Sequence, residues 1–120
     1  MNGIPEGFDL QPLVGRTLMQ VRLDEHQVQL VFDHGHIFVE GHLSIEYVSK
    51  PALPLFRDGW VTSAGLEQLV GQSVTSWARR NTHSFHVQFS SGTALVFSSE
   101  DGPYEDIVVE LGGEVPTWVL

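Results

Sequence analysis

The chain of 120 residues has no cysteine, a single lysine (Lys50) and no long apolar run. Without cysteine there is no disulfide framework, and no thiolate for catalysis or for a zinc site. Six basic residues against fifteen acidic ones leave a net charge of −9. Phosphate backbones and anionic bilayers are gripped by Lys and Arg, so neither nucleic acid nor a membrane surface is an expected partner. No stretch reaches the ~20 apolar residues that span a bilayer. The opening MNGIPEGFDL lacks the basic-then-apolar pattern of a secretory signal, and the expectation is a cytoplasmic protein.

Catalytic signatures are missing too. No serine sits in G-x-S-x-G, and neither G-x-G-x-x-G nor G-x-x-x-x-G-K-[ST] occurs. No catalytic residue is assigned, and neither an enzyme nor a cofactor is expected.

What the chain does have is a repeat. Leu10, Leu13, Val14 and Gly15 recur 56 positions on as Leu66, Leu69, Val70 and Gly71. One inserted residue later, His26, Phe32, Gly35 and Val39 recur as His83, Phe89, Gly92 and Val96. A duplicated unit of this size needs its partner to bury an apolar face, which predicts one domain over 1–120 rather than two marginal ones. The two units cover about 9–48 and 63–111, with a further strand over 115–120.

Each unit opens with a short helix, its buried face read from Leu10, Leu13 and Val14 and from Leu66, Leu69 and Val70. Asp9 and Ser63 are the expected caps, and Gly15 and Gly71 the stops. Strands of period two follow. In the first unit Val21 and Leu23, then Val28, Leu30 and Phe32, then Ile37 and Val39 form the inward rows. In the second, Phe85, Val87 and Phe89 are followed by a return row of Ala94 and Val96. Gly35 and Gly92 mark hairpin turns. A fourth strand closes each unit, at Leu43–Val48 and Ile107–Leu111. Ser49–Thr62, with Pro51, Pro54 and Gly59, reads as the connecting loop. The fold class is mainly β (α+β): two tandem antiparallel β-meanders, each led by a short helix, packed as a pseudo-twofold sandwich or bent sheet.

The candidate chemistry is acidic. Glu100, Asp101, Glu105 and Asp106 surround Tyr104 in an insertion of the second unit. Carboxylates around an exposed aromatic suit an Arg- or Lys-rich cleft, with the tyrosine as desolvated anchor. Asp24 and Glu25 at a hairpin tip form a second, weaker candidate. Against this stands the plainer role of a solvated loop. His34, His36 and His42 have the alternation that brings two imidazoles to one side of a strand, but no carboxylate ligands join them at a recognisable spacing, and no metal site is assigned. Trp77 reads as core and Trp60 as a lid or an interface anchor. Arg79-Arg80, the one basic pair, is expected to balance nearby acids.

The stretches L-V-G-R-T-L-x-Q-V-R-L-D and V-Q-L-V-F-D-H-G-H-I-F-V-E-G, with a degenerate second L-V-G-Q-S-V-T-S-W-A, resemble small duplicated bacterial β-domains of unknown function. The likeness covers residues 10–111 and extends to immunity proteins of polymorphic toxin systems. It implies a cytoplasmic protein that neutralises a cognate toxin, a nuclease for example, by covering a basic active-site cleft. His34 replaces an Asp of the family turn and the second turn reads Ser90-Ser91-Gly92, so no functional residue carries over. The alternative is a non-enzymatic β-domain that forms a homodimer, with Val115–Leu120 as the pairing strand.

Overall fold

Alternation of apolar and polar residues builds most of this chain into strands. The computed structural model describes residues 3–23, 27–48, 53–57, 60–61, 65–99, 107–112 and 117–120. In chain order the strands are β1 (Leu18–Leu23), β2 (Val28–Phe32), β3 (His36–Val39) and β4 (His42–Glu46). They continue with β5 (Leu53–Arg57), β6 (Trp60–Val61), β7 (Val74–Asn81) and β8 (Ser84–Phe89). β9 (Ala94–Ser98), β10 (Ile107–Glu110) and β11 (Trp118–Val119) complete the set. They form two antiparallel sheets. Sheet 1 runs β1-β2-β3-β10-β11 and sheet 2 runs β6-β5-β4-β9-β8-β7. Among the described residues no helix is long and apolar enough to cross a membrane.

The meander expected in each unit stops after three strands. β4 leaves β3 and pairs with β9, while β10 leaves β9 and pairs with β3. The inner faces feed one apolar cluster that includes Leu30, Ile37 and Val109 from sheet 1 and Leu43, Phe85 and Phe97 from sheet 2, all at 0% exposure. Burying such side chains contributes about 1.5–3 kcal/mol each.

The expected helices are single 3-10 turns, Gln11–Leu13 and Leu66–Leu69. A 3-10 turn has three residues per turn, so residues three apart stack and the fourth swings away. Leu66 and Leu69 are accordingly buried while Val70 is 43% exposed, against its expected inward position. Asp9 does accept the amide of Gln11 at 2.9 Å. Ser63 lies outside the described residues.

Other differences have equally local causes. A β-bulge between Leu18 and Gln20 reconciles the odd spacing of buried Leu18 and half-buried Val21. Leu23 is 40% exposed because β1 is the edge of sheet 1. The second hairpin loop is one residue longer than the first: Phe32 N–H bonds to Gly35, Phe89 N–H to Thr93. That residue shifts the return row by one and so exchanges its faces. Leu95 and Phe97, rather than Ala94 and Val96, pair with Val87 and Phe85 over the core. β7 runs on through Arg80 and Asn81. The expected connecting loop contains β5 and β6; Pro54 lies beyond the two residues that pair with β6, where, among the described residues, the strand is again an edge. Val48 lies past the end of β4, and of the expected strand 115–120 the described part in strand is Trp118–Val119.

The sheets meet along one seam. Thr17 and Ser73 form a bridge, their hydroxyls 3.2 Å apart. Gly15 N–H donates to Val74 O (2.8 Å) and Gly71 N–H to Leu18 O (2.7 Å). Val74 N–H donates to Arg16 O (2.8 Å) and Leu18 N–H to Gln72 O (3.0 Å). Segment 3–8 then runs back over sheet 2, where Phe8 seats its ring against Trp77, Phe85 and Trp118.

Candidate functional site

The acidic residues singled out from sequence, Asp24, Glu25, Glu100, Asp101, Glu105 and Asp106, lie with Tyr104 outside the described residues. So does His26. What the described residues do reveal is where the positive charge goes.

On the outer face of sheet 2 Arg80 reaches from β7 to Glu46 on β4. The guanidinium forms a fork, Nη1 to Oε2 at 3.0 Å and Nη2 to Oε1 at 2.8 Å, while Nε donates to His86 Nδ1 at 3.0 Å. Bidentate pairing of this kind is the strongest form of surface ion pair. His86 must be unprotonated at Nδ1 to accept, which leaves its remaining proton on Nε2. Burial pulls the imidazole below its ordinary pKa and the Arg80 charge adds to this, with Glu46 opposing. The hydrogen bonds from Arg80 hold the Glu46 carboxyl below the usual carboxylate range. The strap borders an open depression of about 260 Å³ lined also by Tyr47, Gln88, Gly92 and Ala94. Arg80 thereby ties β7, β4 and β8 together across this face.

Two other arginines serve the backbone. Arg16 Nη1 donates to the carbonyls of His34 (2.5 Å) and Leu111 (2.8 Å). Arg79 donates to Ile4 O at 3.1 Å and also to Pro5 O. The expectation that Arg79-Arg80 balances acids therefore fits Arg80, and Arg79 clamps the N-terminal segment instead. Among the described residues Glu46 is the one carboxylate in an arginine ion pair. Glu6, Asp9, Asp33, Glu40 and Glu67 are all exposed.

The histidines go separate ways. His36 Nε2 lies 2.6 Å from Glu110 Oε2 on the paired strand, and its ring meets Phe38 at 4.3 Å. His34 lies beside Gly112. Among the described residues no three His, Cys, Asp or Glu side chains gather as a metal site would require. Trp77, expected in the core, is partly buried against it.

Sequence reading missed Glu46 and His86. They meet Arg80 only because β4 joins sheet 2 through β9, a pairing that no local signal reports. Comparison with known protein families, curated proteins and solved structures finds no match.

Proposed function

We propose that this chain is a non-enzymatic, cytoplasmic immunity protein, one that neutralises a cognate toxin by covering a basic cleft with carboxylates. One observation carries the reading. Arg16 and Arg79 are tied to backbone carbonyls and Arg80 to Glu46, so three of the six basic side chains are engaged within the fold while the chain keeps an acidic surplus of −9. An excess of one sign steers an oppositely charged partner and raises the association rate. The contact residues in this reading are Glu100, Asp101, Tyr104, Glu105 and Asp106, with Asp24 and Glu25 beside them. Reversing Glu105 and Asp106 to Lys is expected to weaken binding to a cognate toxin domain with a basic cleft, with close charge pairs contributing about 1.5–7 kcal/mol each. Titration calorimetry at two salt concentrations reads it. Unchanged affinity in a folded double variant removes these residues from the interface.

The same proposal includes an ancestry: a duplicated three-strand unit whose fourth strands are exchanged about a pseudo-twofold axis. The reciprocal seam supports it. Gly15 to Val74 and Gly71 to Leu18 are the same bond 56 residues apart, as are Val74 to Arg16 and Leu18 to Gln72. Phe32 pairs with Leu18 and Phe89 with Val74, and both leading strands bulge at the next step.

A further inference from the structure

The two strands that cross between the sheets end alike. Glu46 is the last residue of β4 and pairs with Ala94, the first residue of β9. Glu110 is the last residue of β10 and pairs with His36, the first residue of β3. Both carboxylates stand on the outer face of their sheet, and an imidazole lies close to each.

The two imidazoles act with opposite sign. His36 Nε2 is shut off from water, and among the described residues the polar atom it meets is Glu110 Oε2, at 2.6 Å. A lone pair cannot face a carboxylate so closely, so this nitrogen carries a proton. A second proton, at Nδ1, gives the ring a full charge and adds attraction to the contact. His86 stands the other way round. Its Nδ1 is the acceptor for Arg80 Nε at 3.0 Å, and the same guanidinium holds Glu46. A proton there removes the acceptor and sets two cations side by side. Burial, with the Arg80 charge, pulls this ring below its ordinary pKa.

The surroundings keep the two sites distinct. Across the strands His36 has Val31 on β2 and Glu110 on β10. Arg16, the like charge at that end, is turned to the carbonyls of His34 and Leu111. Asp33 accepts the Thr17 amide, and His34 lies beside Gly112. His86 has Ala78 on β7 and Val96 on β9 across the strands, with Arg80 and Glu46 as its charged neighbours. His42 shares that face further along β4.

We propose that the ends of β4 and β10 form a proton-driven switch of opposite sign. As the pH falls from about 8 to 5, where imidazole gains its charge, β10 is fastened to β3 and β4 is loosened from β7. Order passes from one crossing strand to the other without either changing its partner.

This inference does not rest on the toxin reading. The test is site-resolved amide hydrogen exchange of the full chain at about pH 7.5 and 5.5, on either side of the imidazole midpoint, corrected for the pH dependence of the chemical step. Bonded amides within Ile107–Glu110 should gain protection in acid and those within His42–Glu46 should lose it. Each change should reach up to about fivefold, the size of a partly exposed ion pair. His36→Gln keeps an N–H donor for Glu110 that does not titrate. It should erase the gain in β10 and leave the loss in β4. Glu110→Gln should do the same by removing the charge. Protection that moves the same way in both strands, or in neither, overturns the proposal. So does a gain in β10 that survives the two variants.

Discussion

Strands β1 and β7 start side by side and meet different fates. Both leave the Thr17–Ser73 bridge, and both bulge within two residues, after Leu18 and after Val74. β7 then runs eight residues, with the segment from Gly3 to Phe8 packed along it. β1 runs six, and its Met19 and Leu23 side chains reach solvent. The difference shows two ways to manage a sheet edge. One covers it with chain, anchored by an aromatic ring and an arginine. The other, among the described residues, has no such cover beyond Leu18, whose backbone groups bond to Gly71 and Gln72, and carries a single guanidinium, Arg22.

Removing the cover should give the largest effect. Phe8 is 4% exposed, and its ring centroid lies 5.0 Å from that of Phe85, 5.4 Å from Trp118 and 5.7 Å from Trp77. Phe8→Ala is expected to cost about 3–5 kcal/mol in urea unfolding, the usual range for a buried ring. Amide exchange along β7 should also quicken, because the edge becomes as bare as β1. A loss under about 1 kcal/mol, at the surface-substitution level, would mean that the segment does not hold that edge.

The hairpins of the two sheets sharpen the contrast at a smaller scale. Gly35 and Gly92 hold φ of +89° and +90°, a region in which a Cβ clashes with its own carbonyl, so Ala costs about 1–2 kcal/mol at either. Their neighbours differ. A Cβ on Gly35 would stand 2.8 Å from Arg16 Nη1 and Glu110 O and 2.9 Å from the Leu111 Cα, where backbone cannot yield. On Gly92 it meets, among the described residues, only Val48 Cγ2, at the end of a side chain that is 80% exposed. Gly35→Ala should therefore destabilise by at least about 1 kcal/mol more than Gly92→Ala, the excess expected of a packing clash. Equal melting temperatures for the two variants would contradict it.

These contrasts also mark what could be read from the chain alone. Val28, Leu30 and Phe32, like Phe85, Val87 and Phe89, announce their strands because each row is buried on one face and alternation is a local property. The turn glycines are local as well. Ala94 and Val96 misled because a single additional loop residue, Thr93, reverses the faces of everything after it. The crossing of β4 and β10 between sheets was not legible, since pairing between distant strands leaves no mark in either one. The Glu46–Arg80–His86 strap depends on that crossing and was hidden with it. The acidic positions, by contrast, stood out by composition alone.

The strap supplies the last and smallest effect, a response of the outer face of sheet 2 to acid. His86 and Glu46 both have pKa values lower in the folded chain than in the unfolded one. A lowered pKa means that the unfolded chain binds more protons, so stability is complete above the unfolded value and declines as the pH falls through the folded value. For His86 the decline begins near pH 6.5, and for Glu46 it begins near 4.5. Protonating Nδ1 removes the acceptor for Arg80 Nε and sets two cations together; protonating Glu46 then releases the guanidinium altogether. Asn places an amide oxygen near Nδ1 and does not titrate. His86→Asn should keep the Arg80 contact at neutral pH and flatten the curve of melting temperature against pH between about 7 and 5, the range in which imidazole changes charge. The difference between the native and variant curves isolates His86 from the other histidines. Parallel curves would mean that the Arg80–His86 bond contributes nothing to the acid sensitivity of sheet 2.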